Sequence, residues 1–349
     1  MTSRKVTMQD VADLANVSKT TVSIVFNNPS RLSQLTVQTV LKAAHELGYA
    51  RDPMAQMFRT RQTNSLGLLL PQALDKALEN PYYTQFLQGI GQVCQREGFT
   101  LLLAPPLRGS MLKAIPYTAV DGFIVSGLED DRGEVDALRT RGMPFVLVDS
   151  EHQDGAPSID IDNQEGMSEL VKLLLSLGHR RFGFVAIDTG TFDGYPTWRG
   201  PVRKRMDGCV AALATVGLTL DDDSITIVEV PCTRQGGEEA FGILWARPER
   251  PTAIVAFSDI IAFGVLDAAR AAGVSVPRDV SVTGFDDLSE ASTSTPSLTT
   301  IRQPITTKGR LAAEYLVEAI NAGGQPPSHR QQLNTTLLLR DSVGAPRVS

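Results

Sequence analysis

The sequence predicts an α/β protein with a three-helix head at its N-terminus, containing a helix-turn-helix, followed by a two-lobed core of parallel sheets. Three observations predict this architecture. The 349 residues exceed what one hydrophobic core commonly serves. Closely spaced helix signals fill the first fifty residues. Beyond Ser65, short apolar strands alternate with amphipathic helices in two successive sets.

The composition is that of an ordinary globular protein, with 42% hydrophobic and 21% charged residues. No apolar run approaches the ~20 residues that a membrane helix needs, and the N-terminus lacks the apolar stretch of a secretion signal. We therefore expect a cytoplasmic protein with no membrane partner. Cys94, Cys209 and Cys232 lie far apart and near no histidine pair, so we expect neither disulfides nor a metal site, and no cofactor.

Charge is distributed unevenly along the chain. Residues 1–64 hold eight Lys or Arg against four Asp or Glu, a net charge of +4, whereas the whole chain carries −6. The remaining residues therefore carry −10. A small basic head on a large acidic body predicts that a polyanion binds at one end only.

Helix signals follow one another quickly in the head. Thr7, with Asp10 three residues later, is typical of a capping box and opens a first helix that stops near Asn16. Ser18 and Ser33 are candidate caps of two further helices. About three residues separate the first helix from the second, which is the spacing of a helix-turn-helix.

The outer face of the second helix has a composition that suits base contacts. At 100° per residue, Thr20, Ser23 and Ile24 lie opposite its valines, and Lys19 is at the margin near the helix N-terminus. The alternative is an ordinary three-helix subdomain whose polar face meets water. An exposed Ile24 argues against that alternative, because thymine methyl groups would give this side chain an apolar partner.

Residues 52–60 predict a short fourth helix. Asp52 is a candidate cap with Pro53 at the first helical position, and Met54, Met57 and Phe58 form an apolar stripe. The segment is shorter than the ~12–15 residues at which an isolated helix becomes marginally stable in water. Two copies packed over a DNA minor groove would hold it, with Phe58 as an apolar wedge. The alternative is a flexible linker.

The runs 6–23 and 43–49 resemble the DNA-binding head of the lactose-repressor family of bacterial transcription regulators. Members usually carry arginine where Ile24 stands and leucine where Phe58 stands. The resemblance implies that Lys19, Thr20 and Ile24 contact bases and that Phe58 is a minor-groove wedge. It also implies phosphate contacts from a further set of residues: Ser18, Thr21, Ser23, Asn27, Arg31 and Thr36.

Polar residues follow several of the predicted strands of the core. Ligands of open α/β sheets bind beyond the carboxyl ends of the strands. The residues at such positions or at a helix start are Asp149, Arg205, Ser258, Asp259, Asp286 and Asp287. Carboxylates and a guanidinium around a cleft suit a polyhydroxylated ligand. By position alone, each suits a helix cap as well as a ligand contact.

Landmark segments such as 80–83, 177–182, 276–287 and 296–304 resemble the effector-binding core of the same family, which is similar to periplasmic sugar-binding proteins. The resemblance implies effector contacts from Tyr82, Tyr83, Asp149, Arg205, Ser258 and Asp286. Cys232 and Ile305 stand where some members carry an aromatic residue, which predicts a less aromatic pocket. The cations at 203–205 leave open a phosphorylated or acidic effector.

The expected organisation is a helix-turn-helix domain at 1–50, a hinge helix and linker at 51–64, and an effector-binding and dimerisation core at 65–349. Lobe one is expected at about 65–160 and 294–325, and lobe two at about 161–293 and 326–345. The stretch 333–340 is read as a last strand.

The resemblance implies a sequence-specific transcriptional regulator, a repressor, that binds palindromic double-stranded operator DNA as a homodimer and responds to a small molecule of sugar type. The direction of the response stays open. A solute-binding protein for transport is the alternative, and the basic head argues against it. An enzyme is not expected, because the nearest GxG match, at 89–91, falls in a predicted helix rather than after a strand.

Overall fold

The computed structural model describes residues 6–27, 29–50, 62–128, 131–151, 153–188, 190, 194–325 and 329–347. The chain divides into two compact units, Met1–Thr63 and Asn64–Ser349.

The first unit contains the three predicted helices. Their bounds are α1 Met8–Leu14, α2 Lys19–Asn27 and α3 Gln34–Glu46, with a 3-10 turn at Pro29–Arg31 between the last two. The capping box of Thr7 and Asp10 is confirmed. Ser18 and Ser33 accept hydrogen bonds from the backbone N–H groups of Thr21 and Thr36 at 3.0 and 3.2 Å, as helix caps do. Local signals therefore define this unit.

The turn between α1 and α2 is tight. Asn16 occupies the left-handed region there, with φ 51°, a conformation that asparagine tolerates better than most residues. Val22 and Val25 of α2 are buried together with Val11 of α1 and Val40 of α3. The small core thus fixes α2 by its valines and leaves the opposite side of the helix toward solvent.

The second unit alternates strands and helices. Its strands are β1 Ser65–Leu69, β2 Thr100–Ala104, β3 Gly122–Ser126, β4 Phe145–Val148, β5 Ser158–Ile161, β6 Phe182–Ile187, β7 Ile225–Val230, β8 Ala253–Ala256, β9 Ser281–Asp286, β10 Thr299–Arg302, β11 Arg330–Leu333 and β12 Thr336–Leu338. Its helices are α4 Leu74–Glu79, α5 Pro81–Glu97, α6 Met111–Ala114, α7 Glu134–Thr140, α8 Asn163–Ser176, α9 Gly200–Ala214, α10 Arg234–Trp245, α11 Asp259–Ala271 and α12 Ile305–Ala322. Short 3-10 turns lie at Ile115–Tyr117, Tyr195–Thr197 and Ser289–Ser292.

The strands form two six-stranded sheets, which confirms the two predicted lobes. The first sheet has the order β11-β5-β4-β3-β1-β2 and the second β12-β10-β9-β8-β6-β7. Neighbouring strands are parallel, except that β12 runs antiparallel to β10. Parallel sheets need apolar cover on both faces, which explains the fully buried strands β3, β4 and β8.

The lobe limits differ from the expected ones. The sequence placed 294–325 in lobe one, but β10 pairs with β9 in the second sheet. It placed the chain from 326 onward in lobe two, but β11 pairs with β5 in the first sheet. The last strand predicted at 333–340 is confirmed as β12, whereas β11, which ends at Leu333 and belongs to the other sheet, was not predicted. Strand pairing is a long-range property that a four-residue segment does not encode.

Helix α12 was not predicted, and it packs against α5 beside the first sheet. Gly309 makes this packing possible, because a Cβ atom there would lie 2.2 Å from the backbone oxygen of Phe86 on α5. The second lobe contains a helix pair that is closely packed at a glycine in the same way. A Cβ atom at Gly208 of α9 would lie 2.2 Å from the backbone oxygen of Gln164 on α8. Both helix pairs therefore approach more closely than side chains would allow.

Among the described helices, none combines the length and the apolar character that crossing a membrane requires.

Candidate functional site

The predicted DNA contacts lie on a continuous part of the head. Lys19 and Thr20 are exposed at the N-terminus of α2, and Arg31 is exposed at the end of the 3-10 turn. The Ser18 hydroxyl is 2.9 Å from the Thr21 hydroxyl, and Thr36 lies in the first turn of α3. Basic and hydroxyl side chains at helix N-termini are groups that form hydrogen bonds with DNA phosphates and with base edges.

Two of the predicted DNA contacts on α2 are less exposed than expected. Ile24 is half-buried rather than exposed, and Ser23 is half-buried as well. The argument from an exposed isoleucine is therefore weakened. Phe58, with the predicted helix at 52–60, and the side chain of Asn27 lie outside the described residues.

The two sheets enclose a cavity of about 520 Å³ at the carboxyl ends of their central strands. All six predicted effector contacts line it: Tyr82, Tyr83, Asp149, Arg205, Ser258 and Asp286. They come from distant parts of the chain and from both lobes. The rule that ligands bind beyond the carboxyl ends of parallel strands thus locates the cavity in this chain.

The lobe-one side of the cavity is built around Asp149, which follows β4. Its backbone is held at φ 47°, an unusual conformation for a residue other than glycine and one that clusters at functional sites. The hydroxyl of Tyr82, in the first turn of α5, donates to Asp149 Oδ2. Lys308 Nζ donates to both carboxylate oxygens at 2.6 Å. Burial, and then the charge of Asp149, hold the pKa of Tyr82 well above its usual value.

The lobe-two side is built around Asp286, the last residue of β9, with φ 134°. Ser258, the cap of α11, donates to Asp286 Oδ2 at 2.7 Å, and Gln303 Nε2 donates to Oδ1. Arg205 Nη2 lies 3.9 Å from Asp286 Oδ1. Burial raises the pKa of Asp286, and the Arg205 charge opposes that rise.

Arg205 is held rigidly from behind. Its Nε donates to Asn163 Oδ1 at 3.0 Å, and Nη1 donates to the backbone oxygen of Phe257. The guanidinium carbon lies 3.8 Å from the centre of the Phe285 ring. A guanidinium stacked and bonded on several sides is pre-organised for a polar ligand.

The two other strand-end acids have structural roles. Asp259 accepts from the Leu288 backbone N–H and the Thr300 hydroxyl at 2.8 and 2.6 Å and does not line the cavity. Burial and the nearby Asp286 raise the pKa of Asp259 to about 8. Asp287 pairs with Arg302 and Arg340 at 2.7 and 2.6 Å.

The cations at 203–205, which left an acidic effector open, do not converge on the cavity. Only Arg205 of the three lines it, while Arg203 pairs with Asp207 at 2.8 Å and stacks on Tyr195. Cys232 stands at the cavity wall, and Trp198 lines the cavity together with the two tyrosines. Trp198 lies in a loop, where no local pattern marks it.

Several polar residues at the cavity were not predicted. Gln303 and, behind the wall, Lys308 are the two of them that contact the predicted carboxylates. A usable signal existed for Lys308, because it shares the apolar face of α12 with Ile305, Ala312 and Leu316 at helical spacing. A lysine on a buried helix face needs an acidic partner, and Asp149 is that partner.

Each of the two units matches a known protein family. The profile of the bacterial regulatory proteins of the lacI family matches residues 7–52, and that of a periplasmic binding protein-like domain matches residues 171–343. The regulator MalR of Streptomyces coelicolor is 36% identical over 93% of this chain and 92% of its own. The ribose operon repressor of Escherichia coli strain K12 is 32% identical over 97% of this chain and 99% of its own.

A solved structure extends the similarity to the whole fold. The complex of the transcriptional regulator CelR with cellobiose is 29% identical, covers 97% of this chain and 99% of its own, and has a TM-score of 0.68. These relatives are transcriptional regulators, and this chain carries at residues 7–52 a match that a transport protein would not need. The chain therefore belongs to the lacI family of bacterial regulatory proteins and is a DNA-binding transcriptional regulator.

Proposed function

We propose that this regulator is a repressor whose affinity for operator DNA is set by a neutral, polyhydroxylated small molecule of the sugar class. The ligand binds in the cavity between the two sheets. One observation carries the proposal: Asp149 and Asp286, from the strand ends of different lobes, line the same cavity of about 520 Å³ with Arg205. A ligand that contacts all three holds the lobes in one relative arrangement.

The charges around the cavity favour a neutral ligand. Among the described residues, its walls carry the carboxylates of Glu134, Asp149, Asp188 and Asp286 and the guanidinium groups of Arg132, Arg199 and Arg205. Lys308 behind Asp149 adds a fourth positive charge. Four negative and four positive groups leave no excess charge for a phosphate or a carboxylate to neutralise.

The chemistry of the walls favours hydroxyl groups. Carboxylates only accept hydrogen bonds and a guanidinium only donates, whereas a sugar hydroxyl does both. Tyr82, Tyr83 and Trp198 provide faces for the apolar side of a sugar ring. The names of relatives agree with this class: one is a ribose operon repressor, and another was solved with cellobiose.

The DNA side of the proposal rests on the head. Lys19, Thr20 and Ile24 contact bases, Ser18, Thr21, Ser23, Asn27, Arg31 and Thr36 contact phosphates, and Phe58 is the minor-groove wedge. One head of this size reads a half-site, so two copies of the chain bind a palindrome in the cytoplasm. Ligand binding changes the angle between the lobes, which alters the spacing of the two 52–60 segments and hence operator affinity.

The DNA part is tested by selecting duplexes from random DNA and then measuring gel shifts. The full chain is compared with a chain that lacks residues 1–64, a boundary that falls next to the start of the second compact unit. We expect nanomolar-range binding that the shorter chain loses completely, since specific affinities are typically about 10⁻⁸ to 10⁻¹¹ M. Equal binding by both chains would remove the head from the mechanism.

The ligand part is tested by thermal unfolding with ribose, cellobiose, maltose, sugar phosphates and nucleobases. A ligand that binds only the folded state at 100 times its Kd adds about 2.7 kcal/mol to the free energy of unfolding. A neutral sugar should raise the melting temperature and a sugar phosphate should not. A rise with phosphorylated ligands alone would contradict the proposed class.

A further inference from the structure

Lys308 is the most deeply buried cation of the described chain that contacts the ligand site. Its side chain is fully shielded from solvent, and Nζ lies 2.6 Å from both oxygens of Asp149, whose own side chain is 16% exposed. A buried ammonium without a counter-charge would cost several kcal/mol, so the pair must be formed in the folded state. The position of Lys308 in the first turn of α12 places it behind the cavity wall.

Lys308 also reaches the second lobe through one residue. Its third hydrogen bond goes to Gln303 Oε1, at the crossing between β10 and α12. An ammonium only donates, so it fixes which end of the Gln303 amide faces it. Nε2 of Gln303 is thereby directed to Asp286 Oδ1. The carboxylates of both lobes are joined through Lys308 and Gln303 where the chain passes from one sheet to the other.

We propose that Lys308 is a positioning residue of the ligand site, which holds Asp149 as an ionised acceptor and turns the Gln303 amide toward Asp286. Both lobes then present hydrogen-bond acceptors whose orientation is set before a ligand arrives. Such a site accepts the hydrogen bonds that hydroxyl groups donate, and it repels an anionic group next to either carboxylate. The assignment of Lys308 stands on the hydrogen bonds above, and its consequence for the ligand rests on the proposed function.

The groups that face Lys308 come from four elements. Tyr82 of α5 lies with its ring centre 5.9 Å from Nζ, Asp149 follows β4, Arg205 belongs to α9, and Asp286 ends β9. Burial lowers the pKa of Lys308, and the Asp149 carboxylate opposes that change more than any other group. Without the ammonium, the Tyr82 hydroxyl would be the remaining donor to this carboxylate among the contacts described.

The first test needs no ligand. Lys308→Met keeps the length of the side chain and removes its charge, so the largely buried Asp149 carboxylate loses its counter-charge and keeps the Tyr82 hydroxyl as a donor. We expect the melting temperature at pH 8 to fall by on the order of 10 °C, because removing one partner of a buried ion pair is strongly destabilising. At pH 5 the loss should be smaller, because the carboxylate without its counter-charge takes up a proton as the pH falls.

Two further variants make this result specific. Lys308→Met combined with Asp149→Asn removes both charges, and we expect it to recover most of the melting temperature and to lose the pH dependence. Lys172→Met makes the same change at a half-exposed lysine of α8, 3.9 Å from Glu165, and should change the melting temperature by under about 1 °C. A loss in Lys308→Met that is equal at pH 5 and pH 8, or that the second substitution does not relieve, would overturn the assignment.

A second test addresses the ligand, with ribose and cellobiose titrated calorimetrically into the full chain and into Lys308→Met at pH 7.5. For a sugar that binds the natural sequence, we expect at least tenfold weaker binding to the variant. Unchanged binding would overturn the role of Lys308 in the site. Absence of binding to the natural sequence would count against these sugars as effectors, while the unfolding measurements would still decide the assignment of Lys308.

Discussion

The two lobes build their halves of the cavity by the same plan and complete it differently. Each places a carboxylate at a strand end in an unusual backbone conformation, Asp149 in lobe one and Asp286 in lobe two. Each places a cation on a helix whose packing depends on a nearby glycine. In lobe one, Lys308 contacts the carboxylate directly at 2.6 Å, whereas in lobe two Arg205 stays 3.9 Å away.

The difference shows how a site can hold a buried carboxylate, Asp286, and a partly exposed one, Asp149, by different means. Asp149 is held mainly by a charge. Asp286 is held by the neutral donors Ser258 and Gln303, which leaves the guanidinium of Arg205 able to bind a ligand as well. We infer that lobe one provides a fixed acceptor and lobe two provides the group that responds to the ligand.

The largest expected effect comes from removing the guanidinium of Arg205. Arg205→Ala should abolish the response to the effector, with ligand affinity falling 100-fold or more, because it removes the guanidinium that donates to the ligand from lobe two, a loss of about 3 kcal/mol. Operator affinity should stay within a few fold. Arg203→Ala is the control on the same helix, since Arg203 pairs with Asp207 outside the cavity. Equal losses of ligand and operator binding would refute this division of roles.

A smaller effect is expected from a substitution of Gly309, the residue next to Lys308 on α12. Gly309→Ala forces α12 away from α5, since the new Cβ atom would lie 2.2 Å from the Phe86 backbone oxygen. We expect a loss of about 1–3 kcal/mol in the free energy of unfolding, measured with urea. Gly91→Ala on α5 is the control, because nothing lies within 4 Å of its Cβ position, and it should stabilise the protein by up to about 1 kcal/mol. The same loss from both substitutions would contradict the packing argument.

The smallest effect is expected from one neutral donor of lobe two. Ser258→Ala removes the hydrogen bond of 2.7 Å to Asp286, worth about 1 kcal/mol, and should weaken effector binding roughly fivefold. Ser176→Ala removes an exposed hydroxyl at the end of α8 that donates to the Leu173 backbone oxygen, and it should leave binding unchanged. A loss as large as that of Arg205→Ala would show that Asp286 depends on its neutral donors more than on the guanidinium.

Much of the candidate site could be predicted, and the exceptions share a cause. Asp149, Ser258 and Asp286 follow apolar strands and are visible as a pattern, and Arg205 and the tyrosines come from the family resemblance. Gln303, Lys308 and Trp198 lie on a crossing, on an unpredicted helix and in a loop. Their importance depends on which residues from the other end of the chain face them.

The sequence by itself determined the three helices of the head, because caps, turns and apolar spacing act over three or four residues. It also determined that the core alternates strands and helices in two sets. The tertiary structure alone decided that β10 belongs to the second sheet and β11 to the first. It alone also decided that Lys308 on α12 contacts Asp149 after β4. The pairing of β11 with β5 and the ion pair of Lys308 with Asp149 join residues more than a hundred positions apart, and no short segment encodes such a pairing.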